Sequence, residues 1–203
     1  MKKKLLFVDH HDSFSHNLRA ALQCTGFEVH IVQSAALQTP FEFGATDWNV
    51  VVLSPGPGRP EHYPQSLALY QNIPAHIPVL GVCLGHQLML HADVACVVQH
   101  AAFPVHGRQI SLGAVSSRLL GKLGVQKPPQ QNLVVLYNSL ALFCDDPVFS
   151  QSWNVLAREQ NQVLMAEHRV LPRLGVQFHP ESFASTGGAH FLSSFAQFVE
   201  ALR

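Results

Sequence analysis

The sequence predicts an α/β fold, an open and mostly parallel sheet with helices on both faces. Its apolar residues form short continuous runs without the polar alternation of a half-exposed strand, as expected for strands that are buried on both faces. Helix-like segments separate the early runs. The loops with the most unusual residues follow the ends of these runs, where the ligands of such sheets gather.

Six apolar runs are the candidate strands. They cover residues 5–8, 29–32, 50–53, 79–82, 133–136 and 174–178. The first run is ended by the polar segment 9–12, and the third is followed by the turn-forming segment 54–58.

Four segments are the candidate helices. Residues 15–24 are ended by Gly26, and residues 65–72 and 85–91 follow the third and fourth strands. In the last segment, 188–202, apolar residues recur at helical spacing, which indicates a closing helix. The order therefore begins β-α-β-β-α-β-α, which is typical of an open α/β sheet.

Length and composition fit one globular unit. With 203 residues, 47% of them hydrophobic and 13% charged, the chain is long enough to bury one sizeable core. We therefore expect a single domain over residues 1–203. The segment 127–131, rich in Pro and Gln, is interpreted as a surface loop rather than a linker.

Charge and composition exclude several classes of partner. Thirteen Lys and Arg balance thirteen Asp and Glu, so no net field favours nucleic acid or an anionic membrane surface. No run of 18 apolar residues is present to span a bilayer, and the apolar run at 5–8 is too short for an export signal. The thirteen His lack metal-ligand spacing and the four Cys lack a disulfide framework. The sequence thus predicts no metal, no cofactor and a cytoplasmic location.

Residues 81–85, Gly-Val-Cys-Leu-Gly, contain the most informative candidate site residue. Cys83 follows an apolar strand and has glycine two residues away on each side, the pattern of a nucleophile elbow. In such an elbow the strand turns sharply into a helix, and side chains at Gly81 and Gly85 would clash with neighbouring chains. A cysteine buried beside a glycine-rich turn is the alternative interpretation.

His179 and Glu181 are the candidate partners of this thiol. A thiolate is the attacking form of cysteine, and a helix N-terminus or a neighbouring base stabilises it. On an extended segment residues i and i+2 point to the same side, so the Glu181 carboxylate can hold the His179 imidazole. Cys83, His179 and Glu181 are therefore the candidate nucleophile, base and orienting group.

The turn at 54–58, Ser-Pro-Gly-Pro-Gly, is the candidate oxyanion site. At the end of a buried strand, the backbone N–H groups of Gly56 and Gly58 can face a developing oxyanion. The N–H of Leu84, next after the nucleophile, would be the second donor. The turn lacks the pattern of a phosphate-binding loop, so no nucleotide site is predicted. An ordinary turn between elements is the alternative.

Six motifs together resemble the class I glutamine amidotransferases. They are DxxDSFxxNL at 9–18, SPGPG at 54–58, GVCLGHQ at 81–87, HG at 106–107, YxSL at 137–140 and QFHPES at 177–182. The motifs run in family order along nearly the whole chain. Within the family they are most similar to the glutaminase component of anthranilate synthase and of aminodeoxychorismate synthase. The resemblance implies a flavodoxin-like fold.

The resemblance also implies an activity and a partner. Cys83 would attack the side-chain amide of L-glutamine, His179 would protonate the departing ammonia, and water would cleave the thioester. The ammonia would pass to a chorismate-binding synthase subunit, component I, which makes anthranilate or 4-amino-4-deoxychorismate for tryptophan or folate biosynthesis. The family's glutaminase half has no metal. The residues that match positions around bound glutamine and the oxyanion are Gly56, Pro57, Gly58, Leu84, Gln87, Ser139 and Leu140.

Departures from the family pattern and other hypotheses stand beside this one. The family has Arg-Tyr-His-Ser-Leu where residues 136–140 read Leu-Tyr-Asn-Ser-Leu, and a Gly-Gly pair where this chain has Ala92-Asp93. The alternatives on the same scaffold are a stand-alone hydrolase of γ-glutamyl bonds and a non-catalytic binding subunit. We expect the polar groups at 9–17 to cap the first helix and shape the partner-facing edge.

Overall fold

A seven-stranded sheet lies at the centre of the fold, in a computed structural model that describes residues 2–94, 98–123, 132–143 and 147–202. In chain order the strands are β1 (Lys4–Asp9), β2 (Glu28–Gln33), β3 (Val50–Leu53), β4 (Val79–Val82), β5 (Val98–Ser111), β6 (Val115–Ser117), β7 (Gly121–Leu123), β8 (Leu133–Leu142), β9 (Trp153–Glu159), β10 (Gln162–His168) and β11 (Arg173–Val176). The helices are α1 (Ser15–Cys24), α2 (Pro64–Gln71), α3 (Leu84–Val94), α4 (Pro147–Ser152) and α5 (Gly188–Ala201).

The strand order of the large sheet is β2-β1-β3-β4-β11-β10-β9. The first five strands are parallel to one another, β10 pairs antiparallel with β11, and β9 pairs antiparallel with β10. This confirms the prediction of an open, mostly parallel α/β sheet. The carboxyl ends of β1, β3, β4 and β11 are neighbours along one edge, which is where the sequence places its candidate site residues.

The sheet buries apolar side chains on both of its faces. In β1, Leu5 and Phe7 belong to the hydrophobic cluster that includes residues of α1 and α5. Leu6 and Val8 belong to a second cluster, on the opposite face, that includes residues of α2 and α3. This two-sided burial explains why the parallel strands have no polar alternation. Within the described ranges, no helix is long and apolar enough to cross a membrane.

The candidate strand at 133–136 is a strand, but it does not belong to the parallel sheet. It belongs to β8, which pairs antiparallel with β5 in a separate two-stranded sheet and not with the parallel strands. Val134 and Leu136 are nevertheless buried in the same cluster as β1 and α1, because the run indicates burial and not the strand it pairs with. Strands β9 and β10, which extend the large sheet, were not predicted. The loop predicted at 127–131 lies outside the described residues.

Candidate active site

A cavity of about 310 Å³ lies at the carboxyl edge of the parallel strands. The loops after β1, β3 and β4 contribute to its wall, and α3 and β8 complete it. Its lining residues are Asp12, Gly56, Pro57, Gly58, Cys83, Gln87, Tyr137, Asn138, Ser139 and Leu140. The structure thus brings together seven of the predicted site residues.

A larger groove of about 760 Å³ lies at the opposite, amino-terminal edge of the sheet. Its lining includes Lys3, Asn49, Pro78 and Pro172, which come just before β1, β3, β4 and β11. None of the predicted site residues lines this groove. The smaller cavity, where the thiol is found, is therefore the candidate active site.

Cys83 has the geometry of a nucleophile elbow. It connects β4 to α3 with a φ of 52°, in the left-handed region that L-residues rarely adopt. A Cβ on Gly81 would lie 2.6 Å from the backbone of Gly85, and a Cβ on Gly85 would lie 2.1 Å from the carbonyl oxygen of Leu53. Both glycines are therefore required by close backbone approach, as the spacing predicted. The helix α3 begins at the next residue, so Cys83 lies at a helix N-terminus.

His179 and Glu181 follow β11 as a buried pair, with side chains 1% and 0% exposed. The imidazole Nδ1 donates a hydrogen bond of 2.7 Å to Glu181 Oε1. Burial by itself would lower the pKa of His179, but interactions with the Cys83 and Glu181 side chains outweigh it and raise the pKa to about 10. Nε2 makes no hydrogen bond with the described residues, so it is the ring nitrogen available to Cys83. These interactions therefore favour the protonated form of the His179 imidazole.

The backbone of His179 is held by β8 and by the loop before α5. Its N–H donates to the carbonyl oxygen of Val135 at 2.8 Å, and its carbonyl accepts from the Ser185 hydroxyl at 2.6 Å. The same hydroxyl accepts from the N–H of Val135 at 3.0 Å. The Phe14 ring packs against the imidazole with centroids 4.9 Å apart. These contacts fix the imidazole relative to the cavity wall.

The Gly-Pro-Gly turn after β3 is packed tightly against its neighbours. A Cβ on Gly56 would lie 2.5 Å from both His10 Cβ and Leu84 Cδ2. The Tyr63 hydroxyl donates to the carbonyl oxygen of Pro57 at 2.8 Å. Leu84 is the first residue of α3, so its N–H has no acceptor within the helix. The turn thus packs against the Leu84 side chain, and the role of these N–H groups as oxyanion donors stays a prediction.

Gln87 lines the cavity, and its amide is already partly used by the protein. Its Nε2 donates to the carbonyl oxygen of Leu140 at 3.1 Å and to Gln177 Oε1 at 3.0 Å. Both N–H groups therefore have acceptors, and only Oε1 is left to interact with an occupant of the cavity. Asn138 Nδ2 donates to the same Leu140 carbonyl at 3.1 Å, so this carbonyl accepts twice. The Gln87 side chain can then bind a ligand as an acceptor and not as a donor.

Four residues near Cys83 were not among the predicted site residues. Asp12, Tyr137 and Asn138 line the cavity, and Gln177 donates from Nε2 to Cys83 Sγ at 3.5 Å. Gln177 lies two residues before His179, so the same-side rule that linked His179 to Glu181 could also have found it.

The polar segment before α1 does not cap that helix through a side chain. Asp12 Oδ1 accepts from the N–H of Phe14 at 2.8 Å, but Phe14 itself is the N-cap residue and makes no side-chain capping bond. The predicted capping is thus limited to the N–H of the N-cap residue, because no side chain of the N-cap residue bonds the first turn of α1. The Asp12 carboxylate thus bonds the backbone just before the helix, and Asp12 also lines the cavity. Within the described part of the chain, no group of three or more His, Cys, Asp or Glu side chains could hold a metal ion.

Two buried histidines next to the site are held neutral. Burial lowers the pKa of His10 and of His86 to about 4. In His10, Nδ1 lies 3.2 Å from the Ser54 carbonyl and Nε2 lies 3.0 Å from the Ser66 hydroxyl. Because a carbonyl only accepts, Nδ1 carries the proton and Nε2 accepts from Ser66. His10 thus connects the turn after β3 to α2.

We expect the free energy of unfolding to fall as the pH decreases from about 6.5 to about 4. In this range the unfolded chain takes up protons on His10 and His86, whereas the folded chain keeps both neutral. Each histidine contributes a loss of about 3 kcal/mol over the range. His179 does not oppose this trend, because below pH 6.5 it is protonated in both states.

Urea unfolding at about pH 7 and about pH 5 measures this dependence. The variant His10→Gln, which removes one titrating group, should show a clearly smaller pH dependence than the wild type. A pH dependence that is the same in the variant and in the wild type would contradict the assignment of His10.

Comparison with known proteins identifies one family. The family model "Glutamine amidotransferase class-I" matches residues 6–198. The chain is 33% identical over 192 residues to aminodeoxychorismate synthase component 2 of Klebsiella aerogenes, covering 94% of this chain and 98% of that protein. It is 34% identical over 195 residues to anthranilate synthase component 2 of Mycobacterium tuberculosis, covering 95% and 81%. It is 38% identical over 202 residues to aminodeoxychorismate synthase of Streptomyces griseus, covering 97% of this chain but only 26% of that protein.

A solved structure agrees at the level of the fold. A GMP synthase protein from Thermoplasma acidophilum superposes with a TM-score of 0.75, covering 99% of this chain and 96% of that chain. The two sequences are 19% identical, so this likeness concerns the fold alone. The family model, in contrast, matches nearly the whole sequence, and relatives above 30% identity cover almost all of it. This chain therefore belongs to the class-I glutamine amidotransferase family.

Proposed function

We propose that this chain is the glutamine-hydrolysing subunit of an anthranilate or aminodeoxychorismate synthase. The observation that carries the proposal is the thiol of Cys83 on a strained elbow, next to the buried His179–Glu181 pair. Family membership and the names of the relatives support the same reaction. Cys83 is the nucleophile, His179 the acid and base, and Glu181 the group that holds the imidazole.

The first half of the reaction releases ammonia. The Cys83 thiolate attacks the side-chain carbonyl carbon of L-glutamine, and the charge moves to the carbonyl oxygen, which backbone N–H groups of Gly56, Gly58 or Leu84 stabilise. The imidazolium of His179 gives its Nε2 proton to the amide nitrogen, the C–N bond breaks, and ammonia leaves. The raised pKa of His179 suits this step because the imidazole is protonated before the substrate reacts.

The second half regenerates the thiolate. The now neutral His179 takes a proton from water, which attacks the γ-glutamyl thioester. The C–S bond breaks, glutamate leaves, and the imidazolium and thiolate are restored. Glu181 stabilises each imidazolium without taking up its proton, as a carboxylate does in comparable triads.

A partner protein would use the ammonia. Two of the relatives are named component 2 of a synthase, and this chain covers 98% and 81% of their lengths. The Streptomyces griseus relative is a longer protein, of which this chain spans about a quarter. Beside the site, the Phe183 and Tyr137 side chains are 99% and 41% exposed, which gives a partner an apolar surface to bury. We therefore propose that the partner is a chorismate-binding synthase subunit, which docks on the active-site face.

Labelling with a glutamine-like diazoketone tests the site without a partner. Intact-mass measurement and peptide mapping should find a single adduct on Cys83, and excess L-glutamine should suppress it. Cys24, an exposed free thiol, is the internal control, because a reagent that recognises no pocket would modify it first. Adducts on Cys24 alone, or labelling of Cys83 that glutamine does not affect, would contradict a glutamine pocket.

A second experiment tests the partner. The chain is mixed with component I of an anthranilate or aminodeoxychorismate synthase, and glutamate release is followed with and without chorismate. We expect glutamine-dependent amination of chorismate by the mixture. Full glutamine turnover by the chain alone, on γ-glutamyl peptides as well, would favour a stand-alone hydrolase instead.

A further inference from the structure

Gln177 contacts the sulfur of Cys83 from within the protein. It follows β11 directly and its side chain is fully buried. Its backbone N–H donates to the carbonyl oxygen of Leu164 at 2.8 Å, so the residue is held beside β10. Its side-chain Nε2 lies 3.5 Å from Cys83 Sγ, within hydrogen-bond distance of a sulfur acceptor.

The orientation of the Gln177 amide follows from its other contact. Gln87 Nε2 lies within hydrogen-bond distance of both the Leu140 carbonyl oxygen and Gln177 Oε1. A backbone carbonyl only accepts, so the Gln87 nitrogen and not its oxygen faces Leu140. That nitrogen then requires an acceptor on Gln177, which places Oε1 toward Gln87 and the N–H groups toward the sulfur.

We propose that Gln177 is a catalytic residue that donates a hydrogen bond to the Cys83 thiolate. This role rests on the proposed function, in which Cys83 is the nucleophile. A buried N–H donor next to a sulfur favours its charged form and restricts the rotation of the side chain. The imidazole of His179 interacts with the same Cys83 side chain, so a charged and a neutral group would both favour the thiolate.

The contacts of Gln177 also connect the sulfur to the wall of the cavity. Gln87 and Leu140 both line the cavity, and both belong to the hydrogen-bonded chain that ends at Cys83 Sγ. The Leu140 carbonyl fixes the orientation of the Gln87 amide, and Gln87 in turn fixes the orientation of the Gln177 amide. A ligand that moves the Leu140 carbonyl would therefore alter the donor that the thiolate receives.

The rate of alkylation of Cys83 by iodoacetamide as a function of pH tests this role. Peptide mapping follows Cys83 separately from the exposed Cys24, in the full-length chain. Gln177→Leu removes the donor at similar size, and Gln177→Glu keeps the shape but puts a carboxylate oxygen next to the sulfur. We expect the midpoint of the rate–pH profile to rise by about one pH unit in the Leu variant and by more in the Glu variant.

Gln162→Leu is the matched control, since Gln162 is also a buried glutamine but lies at the start of β10. Its midpoint should equal that of the wild type. The proposal would be overturned if the rate–pH midpoints of both Gln177 variants equalled the wild-type midpoint. Urea unfolding shows whether each variant is folded. If Gln177→Leu is not folded, the midpoint of the Gln177→Glu variant alone tests the donor role.

The same measurement separates this role from the proposed function. The Gln177 variants could shift the rate–pH midpoint as expected while the wild-type protein releases no glutamate from glutamine. That result would refute the proposed function and leave the donor role of Gln177 intact. Glutamine hydrolysis in a protein whose Gln177 variants keep the wild-type midpoint would do the opposite.

Discussion

Replacing Cys83 with alanine is expected to abolish the hydrolysis of L-glutamine, lowering the rate by about 10⁴-fold or more. Without the sulfur no thioester forms, and the imidazolium of His179 has no nucleophile beside it. Glutamate release, measured with component I and chorismate present, is the readout. Ammonium salts should still support amination of chorismate by the mixture, because the proposed partner uses ammonia.

The control for this experiment is Cys24→Ala. Cys24 is the other free thiol of the described residues and is exposed at the end of α1, so its loss should leave glutamine hydrolysis unchanged. Urea unfolding of Cys83→Ala establishes that the fold is retained. Glutamine-dependent glutamate release at a wild-type rate in the Cys83→Ala variant would refute the assignment of the nucleophile.

Replacing Gly85 with alanine is expected to destabilise the protein by about 3 kcal/mol or more. The new Cβ would lie 2.1 Å from the carbonyl oxygen of Leu53 and 2.7 Å from its carbonyl carbon. These are backbone atoms of β3 in the middle of the sheet, so the clash can only be relieved by moving α3 away from it. Such a shift would also move Cys83, and glutamine hydrolysis should be lost with the stability.

Gly44→Ala is the matched control for this effect. Gly44 has no atom within 4 Å of an added Cβ and lies in the short 3-10 helix Phe43–Ala45. The same chemical change should therefore leave the free energy of unfolding within about 0.5 kcal/mol of the wild type, or raise it slightly. Similar free energies of unfolding for the two variants would contradict the close packing of α3 on β3.

The predicted site residues are those whose chemistry is visible in short motifs. The glycines around Cys83 indicate a backbone with no room for side chains, and the structure has that geometry at both positions. The spacing of His179 and Glu181 indicates a shared face, and the two side chains are 2.7 Å apart. In each case the information lies within five residues, so it does not depend on how distant segments pair.

The residues that were missed depend on longer-range contacts. The same-side rule places Gln177 with His179, but its contact with Cys83 exists only because the neighbouring strand brings the sulfur to its side chain. Asp12 was interpreted as a capping residue because polar residues before a helix usually are. The structure starts α1 at Ser15, as predicted, and places Asp12 in the lining of the cavity.

The strands divide in the same way. Both faces of β1, β3 and β4 are covered, so their apolar runs are continuous and easily found. β9 has mostly half-buried side chains. β10 is buried but includes Glu167, whose carboxylate accepts from the Ser117 hydroxyl and the N–H of Arg118. A charged residue such as Glu167 does not indicate a buried strand in the sequence, because its hydrogen-bond partners lie about 50 residues away.

The sequence by itself determined the fold class, the strands of the parallel sheet, the edge at which the candidate site residues lie, and the three residues proposed for the chemistry. These follow from local periodicity and from the rule that parallel strands end at one edge. Only the tertiary structure decided that β8 pairs with β5, that Gln87 can offer a ligand only an acceptor, and that Gln177 faces the sulfur. The reason is that each of these depends on pairing between segments far apart in the chain, which no local pattern encodes.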